Sequence, residues 1–180
     1  MDMIKSFLVA PSENRDEFWE NDELIWIDWR EYEESIIKYF NEKLPPEDQI
    51  KFECKESEKE REIDIVLEKN GVKIEIPYAD ECTDRDTTLR SIEKYIEPKY
   101  QIRWYMDSLG SDTLAFYIGL TFDWKLLEEE VGKEKLDFYF KPIDEKSIMF
   151  EMDIKEVFDL IEEREQRGVE LSRVSNSLRI

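Results

Sequence analysis

The chain has 180 residues, a length typical of one domain, and its 41% hydrophobic content, with 10 Phe, 8 Tyr and 5 Trp, suffices for a packed core. Its 46 acidic and 26 basic residues give a net charge of −20, which opposes binding to nucleic acids and anionic membranes, because phosphate recognition needs an excess of Lys and Arg. The absence of histidine excludes Ser-His-Asp and Cys-His catalysis and histidine metal sites. We therefore expect a protein that is not an enzyme, holds no metal or cofactor, and binds cationic partners.

No segment of the sequence predicts export or insertion into a membrane. Residues 1–10 contain an acid, a base and only a short apolar stretch, unlike a signal peptide. No run approaches the ~18 apolar residues that a membrane span needs. A cytoplasmic location is the default prediction. Cys54 and Cys82 lack a metal or redox spacing, and the sequence does not decide whether they form a disulfide or which oligomeric state the chain adopts.

The N-terminal half of the sequence predicts a loose start, a strand, a helix and an antiparallel meander. Residues 1–14 predict a loose arm or an edge strand, and residues 24–27 predict a short strand. Residues 30–44 predict a helix, since apolar residues recur with a period of about 3.6 before two prolines. Residues 50–78 alternate apolar and charged side chains, the pattern of strands covered on one face. Asn70-Gly71 is a preferred hairpin turn, because both residues tolerate positive φ.

The C-terminal half predicts a helix capped by Thr83 or Asp84, followed by strands at 100–106 and 113–120. A short helix is predicted from Asp123 to Val131, residues 135–140 are ambiguous between helix and edge strand, and a last helix is predicted from Ile154 to Gln166. Gly168 is predicted to end that helix, which leaves residues 168–180 as a frayed tail. Together the elements predict one α+β domain over residues 1–180. Its sheet is mainly antiparallel, with helices packed on one side.

Two carboxylates on the predicted meander form a candidate catalytic pair. Asp64 and Glu75 superficially resemble the restriction-type nuclease motif, in which an Asp and a Glu-x-Lys on adjacent strands hold a divalent metal. The position two residues after Glu75 is Pro77, so the lysine of that motif is absent. The net charge also opposes DNA binding. We interpret both acids as residues of the solvated sheet face.

Two polar loops also have structural interpretations. The first loop is a candidate Ca²⁺ site, because its carboxylate oxygens are the ligands that Ca²⁺ prefers; the acids are Asp80, Glu81, Asp84 and Asp86. Their spacing is not that of an EF-hand, whereas helix capping by Asp84 and favourable charge of Asp86 at a helix N-terminus explain both residues. The loop 107–112 contains Ser108 and Ser111, but without histidine neither serine has an evident base. A hairpin connection is the preferred interpretation of this loop.

Residues 16–34, here called the acidic aromatic segment, are the strongest candidate for a binding site. This segment contains nine acids and one base, interleaved with Phe18, Trp19, Trp26, Trp29 and Tyr32. Large aromatic residues are favoured at interface hot spots, and an acidic rim steers basic partners. We expect Trp26 and Tyr32 to be core residues, whereas Trp19 and Trp29 are open between core and interface. The residues predicted to bind a partner are Glu17, Trp19, Glu20, Asp22, Glu23, Asp28, Trp29 and Glu31.

In size, charge and mixture of acids with aromatics, the chain resembles the small acidic antagonists made by bacteria and their phages. These include immunity proteins that neutralise a toxin domain and phage-coded inhibitors of nucleic-acid enzymes. The likeness rests on residues 16–34 and on the acidic outer face of residues 50–78. It implies a non-enzymatic inhibitor that blocks the cationic cleft of a basic protein such as a nuclease-type toxin. The alternatives are a carboxylate-dependent enzyme acting on a small substrate, with or without a metal, a regulatory subunit, and an acidic surface that serves only solubility.

Overall fold

The computed structural model describes residues 1–177, with side chains for residues 1–169 and 171. Within this part of the chain, seven α-helices and seven β-strands confirm the predicted α+β class. The helices are α1 (Asp2–Val9), α2 (Pro11–Trp19), α3 (Glu33–Lys43), α4 (Arg85–Ile96), α5 (Thr121–Val131), α6 (Lys133–Tyr139) and α7 (Ile154–Ser177). The strands are β1 (Ile25–Asp28), β2 (Lys51–Glu56), β3 (Ile63–Lys69), β4 (Val72–Glu75), β5 (Tyr100–Tyr105), β6 (Thr113–Leu120) and β7 (Phe140–Pro142).

The strands form two separate antiparallel sheets. One sheet has the order β1-β6-β5-β7, and the other has the order β2-β3-β4. The three-stranded sheet is the predicted meander, and its β3–β4 turn has positive φ at Asn70 (54°) and Gly71 (77°). Pro77 follows this sheet and has no N–H to offer another strand. The chain then enters α4 before it returns as β5, so the strands predicted at 100–106 and 113–120 belong to the second sheet.

Apolar cores lie on both faces of the four-stranded sheet. On β6, Phe116 belongs to a first core, which α3, α4 and the three-stranded sheet complete. Its neighbour Tyr117 belongs to a second core, formed with α1, α2, α5 and α6. Side chains of successive residues on a strand point to opposite faces, so a nearly continuous apolar run on β6 requires cover on both sides. The helices are therefore distributed over both faces, whereas the sequence predicts them on one.

Residues 1–14 are helical, which corrects the prediction of a loose arm or an edge strand. Ile4, Phe7 and Leu8 lie on one side of α1 and are 0–1% exposed in the second core. The Phe7 ring stacks on that of Phe18 in α2, with ring centroids 4.7 Å apart. Pro11 begins α2 because its fixed φ suits the first turn of a helix. The short apolar run in α1 does not by itself distinguish helix from strand.

The last helix continues through Gly168 to Ser177, so the prediction that Gly168 ends it is wrong. The predicted frayed tail is helical over residues 168–177, and residues 178–180 lie outside the described part. A Cβ at Gly168 would lie 3.3 Å from Cζ of Phe138. Glycine at this position therefore permits close packing of α7 on α6.

Glu93 on α4 is a buried carboxyl group beside the four-stranded sheet. Its Oε2 accepts a hydrogen bond from the backbone N–H of Ile102, at 2.7 Å. Burial raises the pKa of Glu93 from 4.5 to about 8, opposed by the Ile102 hydrogen bond. The folded state therefore holds this proton more tightly than the unfolded chain. It follows that stability is lost as the pH rises from the unfolded pKa through the folded pKa.

We expect Glu93→Gln to remove this dependence, because Gln stays neutral and its carbonyl oxygen can still accept the Ile102 hydrogen bond. From about pH 5 to about pH 9, the variant should gain about 2–4 kcal/mol in free energy of unfolding relative to wild type. Denaturant unfolding across this range measures the difference, and no histidine titrates within it. Glu129→Gln, at an exposed position of α5, is the control. If the free energy of unfolding changed with pH in the same way for wild type and Glu93→Gln, Glu93 would have no raised pKa.

Candidate functional site

The acidic aromatic segment runs along the β1 edge of the four-stranded sheet, from the end of α2 to the start of α3. Trp19 packs on Trp26, with ring centroids 4.7 Å apart, and both flank the second core. Trp29 instead packs edge-on against Phe150 of the first core, with centroids 5.2 Å apart. The indole Nε1 of Trp29 donates a hydrogen bond to the carbonyl of Ser111, at 3.3 Å. The predicted binding residues therefore form two groups, residues 16–23 and residues 28–34.

Three of the four carboxylates of residues 28–34 are held by neighbours within the chain. Asp28 accepts a hydrogen bond from the backbone N–H of Arg30, at 2.7 Å, and Glu31 accepts one from the hydroxyl of Tyr39, at 2.8 Å. Glu34 forms an ion pair with Lys38 at 3.0 Å, and this hydrogen bond lowers the pKa of Glu34. These contacts hold the connection between β1 and α3. Asp28 and Glu31 therefore have structural roles beside any role in binding.

The carboxylates of residues 16–23, here called the acidic patch, have no such partners. The patch consists of Asp16, Glu17, Glu20, Asp22 and Glu23, all of them exposed. Among the residues whose side chains are described, no Lys or Arg forms an ion pair with these carboxylates, although Lys43 Nζ donates a hydrogen bond to the backbone carbonyl of Asp22. The pKa of the Tyr117 hydroxyl is raised by burial and then by the charges of Glu23 and Asp123. The N-terminal ammonium of Met1 donates to the same hydroxyl at 3.3 Å, so one positive charge also lies near Glu23.

Two aromatic residues of the segment differ from each other in burial. Tyr32 is 74% exposed, which corrects the prediction that it is a core residue. It occupies the N-cap of α3, before the helical stripe of Ile36, Ile37 and Phe40, so its side chain does not join that stripe. Trp26 is predicted to be a core residue, and it is half-buried, packed against the second core.

Asp64 and Glu75 lie on either side of one buried guanidinium. Arg61 has a side chain that is 1% exposed, and its Nη2 lies 2.5 Å from Asp64 Oδ1 and 3.2 Å from Glu75 Oε1. Its Nη1 donates to the carbonyl of Ala79 at 2.8 Å. The two acids thus belong to an ion-pair cluster that anchors the chain after β4. Sequence reasoning did not single out Arg61, although a lone Arg between two acids in a charged linker was the available signal.

The acidic loop before α4 is explained by two separate structural contacts. Asp84 caps α4, because its side chain accepts a hydrogen bond from the backbone N–H of Thr87 at 2.6 Å. Asp86 is fully buried, and its carboxylate accepts from the backbone N–H groups of Met149 (3.0 Å), Phe150 (3.0 Å) and Glu151 (3.1 Å). The Asp86 contacts attach the segment between β7 and α7 to α4. In the described chain no group of three or more Asp, Glu or Cys side chains is arranged to hold a metal ion.

The loop after β5 is the predicted hairpin connection. Ser108 is buried, and its Oγ donates to the carbonyl of Tyr105 at 2.6 Å while accepting from the backbone N–H of Ala115 at 3.0 Å. These bonds close the hairpin between β5 and β6, which gives Ser108 a structural role. Cys54 and Cys82 are both exposed and are not joined to each other.

Comparison of the chain with models of protein families, with curated proteins and with solved structures found no match. In the part of the chain that the structure describes, no helix combines the length and apolar character needed to cross a membrane. The charge, burial and contacts of the surface residues therefore have to support any functional proposal.

Proposed function

We propose that the chain is a non-enzymatic binding protein whose acidic patch engages a basic protein, as an immunity protein or inhibitor does. The supporting observation is the set of five exposed carboxylates within residues 16–23 that form no ion pair with any described side chain. Charges left unpaired at a surface are available to a partner at no cost of breaking internal ion pairs. A nuclease-type toxin has a cationic substrate cleft, which makes it the class of partner that such a surface fits.

The structure of α2 favours tight binding, because this helix carries Asp16 and Glu17, leads directly into the rest of the patch and is firmly anchored. Phe18 is 1% exposed and its ring contacts Phe7, Tyr105 and Phe140 in the second core. A surface held by such a buried ring loses little conformational entropy when it binds. The net charge of −20 would steer a basic partner toward the chain, and the half-buried ring of Trp19 beside the patch would slow dissociation.

The group at residues 28–34 provides a second contact region for the same partner. Trp29 is 36% exposed and Tyr32 is 74% exposed, so both offer aromatic area of the kind found at interface hot spots. The alternative of a carboxylate-dependent enzyme is disfavoured by the contacts of Arg61, because this guanidinium already occupies the space between Asp64 and Glu75.

We expect simultaneous Glu17→Lys, Glu20→Lys and Glu23→Lys substitution to weaken binding to the partner by at least ~100-fold at low salt while the fold is retained. The three side chains are exposed and form no hydrogen bond or ion pair with the described residues, so their replacement removes no such bond. The measurement is capture from the source cells by tagged chains at low and high salt, with mass spectrometry and then a binding isotherm for the captured protein.

The matched control is Glu58→Lys, Glu60→Lys and Glu129→Lys, at three exposed positions outside the segment, which changes the net charge by the same amount. It should retain the partner at low salt, because general attraction alone does not define the contact surface. A partner that binds the patch variant and the control variant equally well would rule out the acidic patch as the site.

A further inference from the structure

The strand β4 leaves one edge of the three-stranded sheet open, with apolar side chains exposed. Val72 is 60% exposed and Ile74 is 52% exposed, although both lie in a strand. Beside them, between β4 and α4, lies a groove of 580 Å³ whose apolar walls include Leu67, Ile76 and Tyr95. At the opposite edge, Phe52 of β2 is half-buried against the first core. The β4 edge is therefore the one that can bury further apolar area.

Two residues of β4 direct their backbone N–H and C=O groups outward from this edge. The register pairs Ile74 with Leu67, and the N–H of Ile76 donates to the carbonyl of Ile65 at 2.9 Å. In an antiparallel pair, alternate residues direct their N–H and C=O groups to the same neighbour. Ile74 and Ile76 therefore face β3, whereas the backbone groups of Lys73 and Glu75 face the free edge.

The outward backbone groups and exposed side chains of β4 are complementary to those of a second β4 related by a two-fold axis through Ile74. If β4 runs antiparallel to β4 of a second copy with Ile74 opposite Ile74, each Lys73 lies opposite Glu75 of the other copy. The outward N–H and C=O groups of these two residues then form the ladder hydrogen bonds, and their opposite charges lie across from each other. Within its own chain Lys73 also pairs with Glu53 at 2.7 Å, but its side chain stays 54% exposed and within reach of a second carboxylate. On the other face, the apolar side chains of the second copy lie over the groove. Pro77 lies beyond this short ladder and interrupts none of its bonds.

The charges around the groove also suit contact between two copies of an acidic chain. Lys69, Arg90 and Lys94 line the groove, against the two acids Glu75 and Glu145. Within its own chain Glu75 lies 3.2 Å from Arg61, which it shares with Asp64 and Asp80. In a chain of net charge −20, this is a surface where bases outnumber acids, so repulsion between copies is smallest here.

We propose that the chain forms a two-fold symmetric homodimer in which β4 pairs with β4 of a second copy, joining the two three-stranded sheets into one of six strands. This edge and the acidic patch share no residues, so self-association and binding of a basic partner are separable. The second copy is preferred to a foreign strand because the Lys73–Glu75 pairing is complementary to itself.

A cysteine at the two-fold axis tests both the dimer and its register. In a Cys54→Ser, Cys82→Ser background, Ile74→Cys should form a disulfide-linked dimer under mild oxidation. The Cα atoms of a non-hydrogen-bonded antiparallel pair are about 4.5 Å apart, within the range a disulfide spans. Val72→Cys is the matched control, since Val72 is also exposed but lies opposite Ile76 in this register. Equal cross-linking of both variants, or of neither, would overturn the proposal.

Sedimentation equilibrium of the unmodified chain measures the dimerisation independently, as a change in mean molecular mass. The mass should rise from 21.8 kDa toward twice that value with concentration. Dimerisation should strengthen from about 50 mM to about 500 mM NaCl, because salt screens the repulsion between acidic copies. Lys73→Glu should weaken dimerisation at least ~10-fold, since it places two carboxylates opposite each other. Lys55→Glu is the control, because it also removes an ion pair with Glu53 but lies on β2, and it should leave dimerisation unchanged. A chain that stays monomeric throughout would contradict the dimer without affecting the proposed partner binding, which weakens with salt.

Discussion

Replacing Asp86 with alanine is expected to lower the free energy of unfolding by about 3–5 kcal/mol, because three backbone N–H groups lose their acceptor in the interior. The carboxylate receives these bonds from Met149, Phe150 and Glu151 and is fully buried. Its loss also frees the segment that places Phe150 in the first core, on which Trp29 packs. We therefore expect altered tryptophan fluorescence together with the loss of stability.

Asp84→Ala is the control for Asp86, since Asp84 lies two residues earlier and only caps α4. Loss of an N-cap should lower the free energy of unfolding by about 1 kcal/mol. Denaturant unfolding of both variants measures the difference. Equal losses for the two variants would show that the Asp86 contacts contribute no more than an ordinary cap.

Replacing Phe7 with alanine is expected to lower the free energy of unfolding by about 3–5 kcal/mol, the usual result of deleting a buried aromatic ring. Phe7 is 1% exposed, and its ring contacts those of Phe18, Tyr105, Tyr139 and Phe140. The loss would leave a cavity between α1 and the four-stranded sheet and would loosen α2, which carries the first two residues of the acidic patch and leads into the other three. Thermal and denaturant unfolding measure the effect on stability.

Val9→Ala is the control for Phe7, because Val9 lies on the same helix and is 61% exposed. It should change the free energy of unfolding by no more than about 0.5 kcal/mol. If Phe7→Ala were equally mild, the N-terminal helix would not be part of the second core.

The meander is predictable from the sequence because its signals are local. Apolar and charged residues alternate in three short runs, and Asn70-Gly71 specifies the turn between the last two. The helix α1 is less predictable, since four apolar residues in a row fit a strand as well as a helix until tertiary packing selects one face. The separation into two sheets depends on where α4 packs, a long-range property that no local pattern encodes.

The candidate site is predictable in composition but not in arrangement. The sequence shows nine acids in residues 16–34, but the internal bonds of Asp28, Glu31 and Glu34 become visible only when β1, α3 and β2 are brought together. The exposure of Tyr32 follows from its position at the N-cap, one residue before the helical period begins. Within the described residues, five of the acids whose side chains form no hydrogen bond or ion pair lie in the first part of the segment, and Glu33 is the one in the second part.

Amide hydrogen exchange of the complex with the captured basic partner tests the proposed binding site most directly. We expect exchange to slow at residues 16–24 when the partner binds, with a smaller effect at residues 28–32 and none at β4. The slowing at residues 16–24 should be absent when the Glu17, Glu20 and Glu23 variant is mixed with the same partner. Slowed exchange confined to other parts of the chain, with residues 16–24 unchanged, would contradict the proposal that the acidic patch binds the partner.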